Sequence, residues 1–156
     1  MITIPIPGRS DLYLKHLVCD VNGTLAVDGN LIPSVQASLK CLRAKLEIHL
    51  ITADTHGKQD FIDQSLGLRS IRIKVGHEAE QKARYVRSLD PRTVVAIGQG
   101  ANDVLMLKTA ALGICVLSDE GTCAAALSTA DILVKDIHNA LDLLENPTRI
   151  AATLRK

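Results

Sequence analysis

The chain has 156 residues, enough for one domain with a full core and too few for two ordinary ones. Its residues are 47% hydrophobic, 22% charged and 2% aromatic, which excludes a disordered chain and leaves Ala, Val, Ile and Leu to fill the core. A formal charge of +1 gives no general electrostatic reason to expect nucleic acid or an anionic membrane as partner.

The first ten residues contain Pro5, Pro7 and Gly8 and lack the basic and long apolar regions of a secretory signal. No apolar run approaches the roughly 20 residues needed to span a bilayer. The protein is therefore expected to stay in the cytoplasm. Cys19, Cys41, Cys115 and Cys123 form no CxxC pair and have no His at metal-ligand spacing, so they are expected to be small buried hydrophobes in a reducing compartment.

Along the chain, short β-branched runs alternate with helical periodicity, the pattern of βαβ units and a parallel sheet. A strand is predicted over His16 to Val21, then a hairpin within Ala26 to Ile32 around the turn Asp28-Gly29-Asn30. Pro33 at a first-turn position, with Val35, Leu39 and Leu42 at helical spacing, predicts a helix to about Lys45. Strands follow at Glu47 to Thr52, Ile71 to Val75, Val94 to Gly98, Ile114 to Leu117 and Ile132 to Val134. Helices are expected over Gly57 to Leu66, His77 to Leu89, Asn102 to Ala111, Thr122 to Ser128 and Asp136 to Leu144, with a short one after Pro147. Right-handed crossovers give an open sheet whose ligands bind at the carboxyl ends of the strands.

The residues at those ends are polar. The first strand runs into Cys19-Asp20-Val21-Asn22-Gly23-Thr24-Leu25, where Asp20 is desolvated on one side and Gly23 permits a tight turn close to an anion. The second ends in Thr52-Ala53-Asp54, whose hydroxyl and nearby N–H groups suit a phosphate oxygen. The helix from His77 carries Lys82, and the strand Val94 to Gly98 runs into Gln99-Gly100-Ala101-Asn102-Asp103. A carboxylate there, beside Asp20, suits a shared Mg²⁺. Each element alone has a plainer reading: an ordinary turn, a helix N-cap, a lysine on a solvated face. Four in order, in one sheet, are harder to assign to chance. His56, just after Thr52, borders the site or simply starts a helix.

These four elements resemble, in order, the four motifs of the haloacid dehalogenase (HAD) phosphotransferase superfamily. More narrowly, Thr52-Ala53-Asp54, Lys82 with Val86, Gly98 to Asp103, Leu112-Gly113-Ile114, Ala130-Asp131-Ile132 and Leu141 to Leu144 resemble the phosphorylation domain of P-type ATPases. The likeness is to the small group of soluble P-type ATPase-like phosphatases and covers about residues 16 to 145 of a single 1–156 domain. It implies a HAD-like Rossmannoid three-layer α/β/α sandwich with a mostly parallel central sheet. This sequence contains no nucleotide-binding domain or membrane helices of the kind that surround that domain in the pumps, so ion pumping is not expected.

The resemblance implies that Asp20 attacks phosphorus to form an aspartyl-phosphate. Thr52 would bond the transferring oxygens, with Gly23, Thr24, Ala53 and Asn102 also lining the phosphate, and Lys82 would neutralise charge. Mg²⁺ would be held by Asp20, the Asn22 carbonyl, Gln99 and Asp103. Asn22 replaces the Asp that serves as general acid and base, so a factor of about 10² to 10⁴ should be missing and turnover slow. Gln99 replaces a metal-binding Asp, its amide oxygen still able to coordinate at the loss of one charge. The expected function is a slow Mg²⁺-dependent phosphohydrolase; the alternative is a weakly catalytic phosphate- and metal-binding regulatory module. Neither insertion point is long enough for a cap domain, so the site, which acts on a phosphorylated substrate of unknown identity, is expected to be open, with either a macromolecular substrate or a second copy of the chain closing over it.

Overall fold

Six strands pair in parallel in the order β10-β9-β8-β3-β6-β7. In chain order they are β3 (His16–Asp20), β6 (Glu47–Thr52), β7 (Ile71–Arg72), β8 (Val94–Gly98), β9 (Leu112–Val116) and β10 (Ile132–Val134). The remaining strands form two small antiparallel pairs: β1 (Ile2–Ile4) with β2 (Leu12–Leu14), and β4 (Ala26–Val27) with β5 (Asn30–Leu31). The helices are α1 (Val35–Leu42), α2 (Gln59–Leu66), α3 (Glu78–Ser88), α4 (Val104–Thr109), α5 (Ala124–Thr129), α6 (Ile137–Glu145) and α7 (Pro147–Leu154). This computed structural model describes residues 1–54 and 57–156.

The central strands are apolar on both faces because helices cover both. On one face Leu17, Cys19, Leu50, Val95, Ile97 and Ile114 pack with Leu39 and Leu42 of α1 and Leu141 and Leu144 of α6. On the other, Val18, Ile51, Ala96 and Cys115 meet Val86 of α3, Met106 and Leu107 of α4 and Ala126 of α5. Three layers result, as the sequence predicts, and β3 lies in the middle with β6 and β8 as neighbours.

The expected strand over Ile71 to Val75 is shorter than predicted: only Ile71 and Arg72 pair, and Val75 is exposed at the edge of the sheet. The predicted helix from Asn102 begins instead as a single 3₁₀ turn, Ala101–Asp103, before α4. The antiparallel β1–β2 pair was not predicted. Its signal is alternation, with Ile2, Ile4, Leu12 and Leu14 buried and the residues between them exposed, spread over runs too short to stand alone. The expected burial of all four cysteines holds for Cys19 and Cys115; Cys123 is half-buried and Cys41 is exposed on the outer side of α1. Among the described residues no helix is long and apolar enough to cross a membrane.

Among the described residues, the excursion between β3 and α1 is the β4–β5 hairpin, and α2 and β7 are the elements between β6 and α3. No lid domain stands over the carboxyl edge of the sheet among the described residues.

Candidate active site

The strands β8, β3 and β6 end side by side, so Gly98, Asp20 and Thr52 share one edge of the sheet. Helix α3 crosses that face with Lys82, Ala83 and Val86 on its buried stripe. The side chain of Lys82 is wholly enclosed, so the reading of a lysine on a solvated helix face does not hold. Its Nζ donates to Oδ1 of Asp20 at 2.5 Å and to Oδ1 of Asp103 at 2.7 Å. Asp103 is also fully buried, and Asp20 is 5% exposed.

An ammonium ion enclosed this way is unfavourable unless paired. Burial works against the charged Lys82, but Asp20 and Asp103 outweigh it and hold its pKa above the ordinary lysine value. Burial, and after it the charge of Asp103, raises the pKa of Asp20 above the usual carboxylate range, while Lys82 and Thr24 act against the rise. With all three groups ionised, two carboxylates and one ammonium leave one negative charge in excess. A divalent cation at this edge would reverse that sign and allow an anionic phosphate to approach.

The turn after β3 is closed by its own backbone. The Gly23 amide donates to the Ala26 carbonyl at 2.7 Å and the Thr24 amide to that of Val21 at 3.1 Å. The N–H groups of Gly23 and Thr24, residues expected to line the phosphate, are thus engaged by the turn. Thr24 serves Asp20 instead, its hydroxyl donating to Oδ2 at 3.2 Å. Gly23 has φ +76°, and a Cβ there would lie 2.2 Å from Nε2 of Gln99, so glycine is needed both for the turn and for the close approach of that side chain.

Thr52 is fully buried, and its hydroxyl oxygen accepts from Nδ2 of Asn22 at 3.3 Å and from the Asp54 amide at 2.9 Å. Ala53 follows it at the rim, half-buried, and Asn102 sits half-buried in the 3₁₀ turn across the edge. Lys82 is thus paired with Asp20, and Asn22 with Thr52, by direct contacts at this edge of the sheet.

The residues expected to hold Mg²⁺ divide into two sets. Nε2 of Gln99 donates to the Asn22 carbonyl at 3.3 Å, so the Gln99 amide and Asn22 oxygen meet beside Asp20. Turning the Gln99 amide would direct its oxygen to the same point. A carboxylate, a main-chain carbonyl and an amide oxygen are hard donors that fit Mg²⁺. Asp103 is held differently: its Oδ1 accepts from Lys82, and its Oδ2 accepts from the amides of Gln99 at 3.0 Å and Gly100 at 2.9 Å. Enclosed and bonded at both oxygens, it holds Lys82 and the Gln99–Gly100 loop in place. Gly98 makes this possible, since a Cβ there would come within 2.6 Å of the Asp103 carboxylate.

Glu120, after β9, was not anticipated. Its Oε1 accepts from the Asp28 amide at 2.7 Å, and its Oε2 lies 3.2 Å from where a Cβ on Gly23 would stand. No motif or spacing marks it, because the contact joins loops 92 residues apart. His56, the possible border residue, lies outside the described residues.

Comparison with known proteins supports the fold. No family model matches the chain. An uncharacterized protein of Methanocaldococcus jannaschii is 46% identical over 88 residues, which are 54% of this chain and 95% of that protein. The fold is similar to that of 3-deoxy-D-manno-octulosonate 8-phosphate phosphatase from Moraxella catarrhalis, solved with magnesium, phosphate and KDO, with TM-score 0.66, 18% identity and coverage of 91% of this chain and 94% of that one. It is also similar to part of a zinc-transporting PIB-type ATPase in its E2.Pi state, with TM-score 0.63 and 29% identity over 80% of this chain but only 20% of that one.

Proposed function

We propose that this capless member of the haloacid dehalogenase superfamily is a Mg²⁺-dependent phosphohydrolase that works through an aspartyl-phosphate on Asp20. The observation that carries the reading is the enclosed Lys82 ammonium between Asp20 and Asp103, at the strand edge that also presents Thr52. So costly a group at a sheet edge open to ligand marks a functional site.

A carboxylate oxygen of Asp20 forms the new bond to phosphorus as the ester P–O bond breaks and its electron pair leaves with the alcohol oxygen. Lys82 offsets charge on Asp20 and on the transferring group. Thr52, held by Asn22 and the Asp54 amide, directs its hydroxyl hydrogen toward a phosphoryl oxygen. Water then attacks phosphorus and releases phosphate and Asp20. Mg²⁺, held by Asp20, the Asn22 carbonyl and Gln99, would supply the positive charge that lets two anions approach. Asn22 can neither give a proton to the leaving oxygen nor take one from water, so those protons pass to and from solvent. Turnover is slow by about 10² to 10⁴ relative to a site with a carboxylic acid there.

The substrate enters past a cavity of about 400 Å³ beside the turn, lined by residues that include Gly23, Thr24, Leu31, Ser118, Lys135 and His138. With no lid over it, a second copy of the chain closes the site, and the protein works in the cytoplasm. Sedimentation that shows only monomer together with good turnover of small esters would remove the oligomer from the proposal. The reaction is tested by hydrolysis of p-nitrophenyl phosphate with Mg²⁺. Asp20→Asn should abolish it, and equal rates would refute the nucleophile.

One observation favours a second reading, a phosphate- and metal-binding regulatory module: the Gln99 amide already bonds the Asn22 carbonyl. Tight binding of beryllofluoride and Mg²⁺ without any hydrolysis would select it.

A further inference from the structure

At the opposite edge of the sheet, β3 and β6 begin with His16 and Glu47, which are partners in register, and His49 stands two residues further on the same face as Glu47. The three side chains converge. Nδ1 of His16 lies 3.1 Å from Nε2 of His49 and 3.4 Å from Oε2 of Glu47, and Nε2 of His49 lies 3.9 Å from Oε1 of Glu47. Metal bonds of about 2.0 to 2.2 Å to His nitrogen and carboxylate oxygen place neighbouring donor atoms about 3 to 3.5 Å apart. Two of the three separations are already in that range, and the third needs only a small rotation of the Glu47 side chain, which is 68% exposed.

The surroundings match those of a bound ion. His49 is nearly enclosed, and its far nitrogen, Nδ1, is 2.8 Å from the hydroxyl of Tyr85 on α3. With Nδ1 carrying the hydrogen and donating to Tyr85, Nε2 presents its lone pair toward His16 and Glu47. An outer partner that fixes the ring and its tautomer is a regular companion of metal-binding histidines. The hydrogen now shared between the two rings needs only to move to Nε2 of His16. Two imidazoles and one carboxylate leave further coordination positions open on the Glu47 side, toward solvent.

We propose that His16, Glu47 and His49 form a second metal site, suited to a borderline divalent transition ion such as Zn²⁺, about 13 Å along β3 from Asp20 (four residues at about 3.3 Å each). The nitrogen-rich donor set separates it from the oxygen set at the other edge, which suits Mg²⁺. The ion would clamp together the starts of the two strands whose far ends carry Asp20 and Thr52. The site stands on its own residues and holds whether or not the phosphohydrolase reading does.

The test is titration of the chelator-stripped full chain with Zn²⁺ against a chromophoric chelator, with Mg²⁺ present in excess. One Zn²⁺ should bind. His16→Asn and Glu47→Gln should weaken it by more than the roughly 10-fold to 100-fold loss expected for the outer partner in Tyr85→Phe, while Asp20→Asn binds as the parent does. Circular dichroism checks folding, and Glu47→Gln, at an exposed position, decides the outcome if His16→Asn does not fold. Co²⁺ should give visible ligand-field bands without the near-ultraviolet thiolate band. No binding at micromolar Zn²⁺, binding lost only in Asp20→Asn, or a thiolate band that puts the ion on cysteine would each overturn the proposal.

Discussion

The side-chain amide of Gln99 donates to the main-chain carbonyl of Asn22 across 3.3 Å, so a neutral N–H points to the oxygen a metal ion would use. Entry of Mg²⁺ requires that bond to break and the amide to turn. Gln99→Asp removes the competing donor and adds a charge. It should lower the Mg²⁺ concentration that gives half-maximal p-nitrophenyl phosphate hydrolysis by about tenfold, roughly the 1.4 kcal/mol of one charge-assisted contact. An unchanged or higher requirement would mean that Gln99 does not face the ion.

Asn22 lies within hydrogen-bond reach of Thr52 and two residues beyond Asp20. Asn22→Asp restores a group able to pass protons at the reacting centre, and steady-state turnover with Mg²⁺ should rise by about 10² or more. The gain should be largest for substrates with poor leaving groups, which depend most on protonation. Equal gains for aryl and alkyl phosphates would argue against a missing acid.

Replacing Lys82 by methionine keeps most of its volume and leaves two buried carboxylates without the cation between them. Loss of one member of a buried ionic cluster costs about 3 to 5 kcal/mol. Urea unfolding at pH 7.5 should show a loss of this order, and activity should vanish. The loss should shrink toward pH 5, because Asp20, whose pKa burial raises, can then hold a proton, and shrink again in Lys82→Met with Asp20→Asn. A loss independent of pH would assign Lys82 a packing role alone.

His49 gives a separate dependence on pH. Burial first, and the neighbouring His16, hold its pKa below the ordinary histidine value, against a raising influence from Glu47. The unfolded chain therefore binds the proton first on acidification. Its contribution to stability is complete above the ordinary value of about 6.5 and is lost as the pH falls below it. Asp20, with its raised pKa, acts in the opposite sense over part of this range, so the comparison must be with His49→Gln. In chelator, the urea midpoint of the parent should fall more between pH 7.5 and 5.5 than that of the variant. Parallel changes would show that His49 is not the group responsible.

Much of this architecture is legible in the chain because local and long-range preferences agree. β6, β8 and β10 lie where their apolar runs place them, and β6 and β8 are covered on both faces. The site residues were legible for a related reason: polar groups that directly follow buried strands have few structural excuses. What could not be read depends on partners distant in sequence. The burial of Lys82 is decided by the α3 stripe meeting Asp20 and Asp103, 62 and 21 residues away. The bonds of Asp103 to Lys82 and to the Gln99 and Gly100 amides likewise appear only in the fold. Glu120 reaches Asp28 only through the fold, and the His16 and His49 rings meet only because β3 and β6 pair in a register that no spacing within one segment reveals.

The β4–β5 hairpin, tied at Asp28 to Glu120 and Lys58, also defines an engineering port. Its two strands enter and leave side by side, about 5 Å apart, so a foreign module spliced at Gly29 would leave the central sheet undisturbed. Selectivity for one phosphoester over another could then be installed by transplanting a roof, with the reactive centre left as it is.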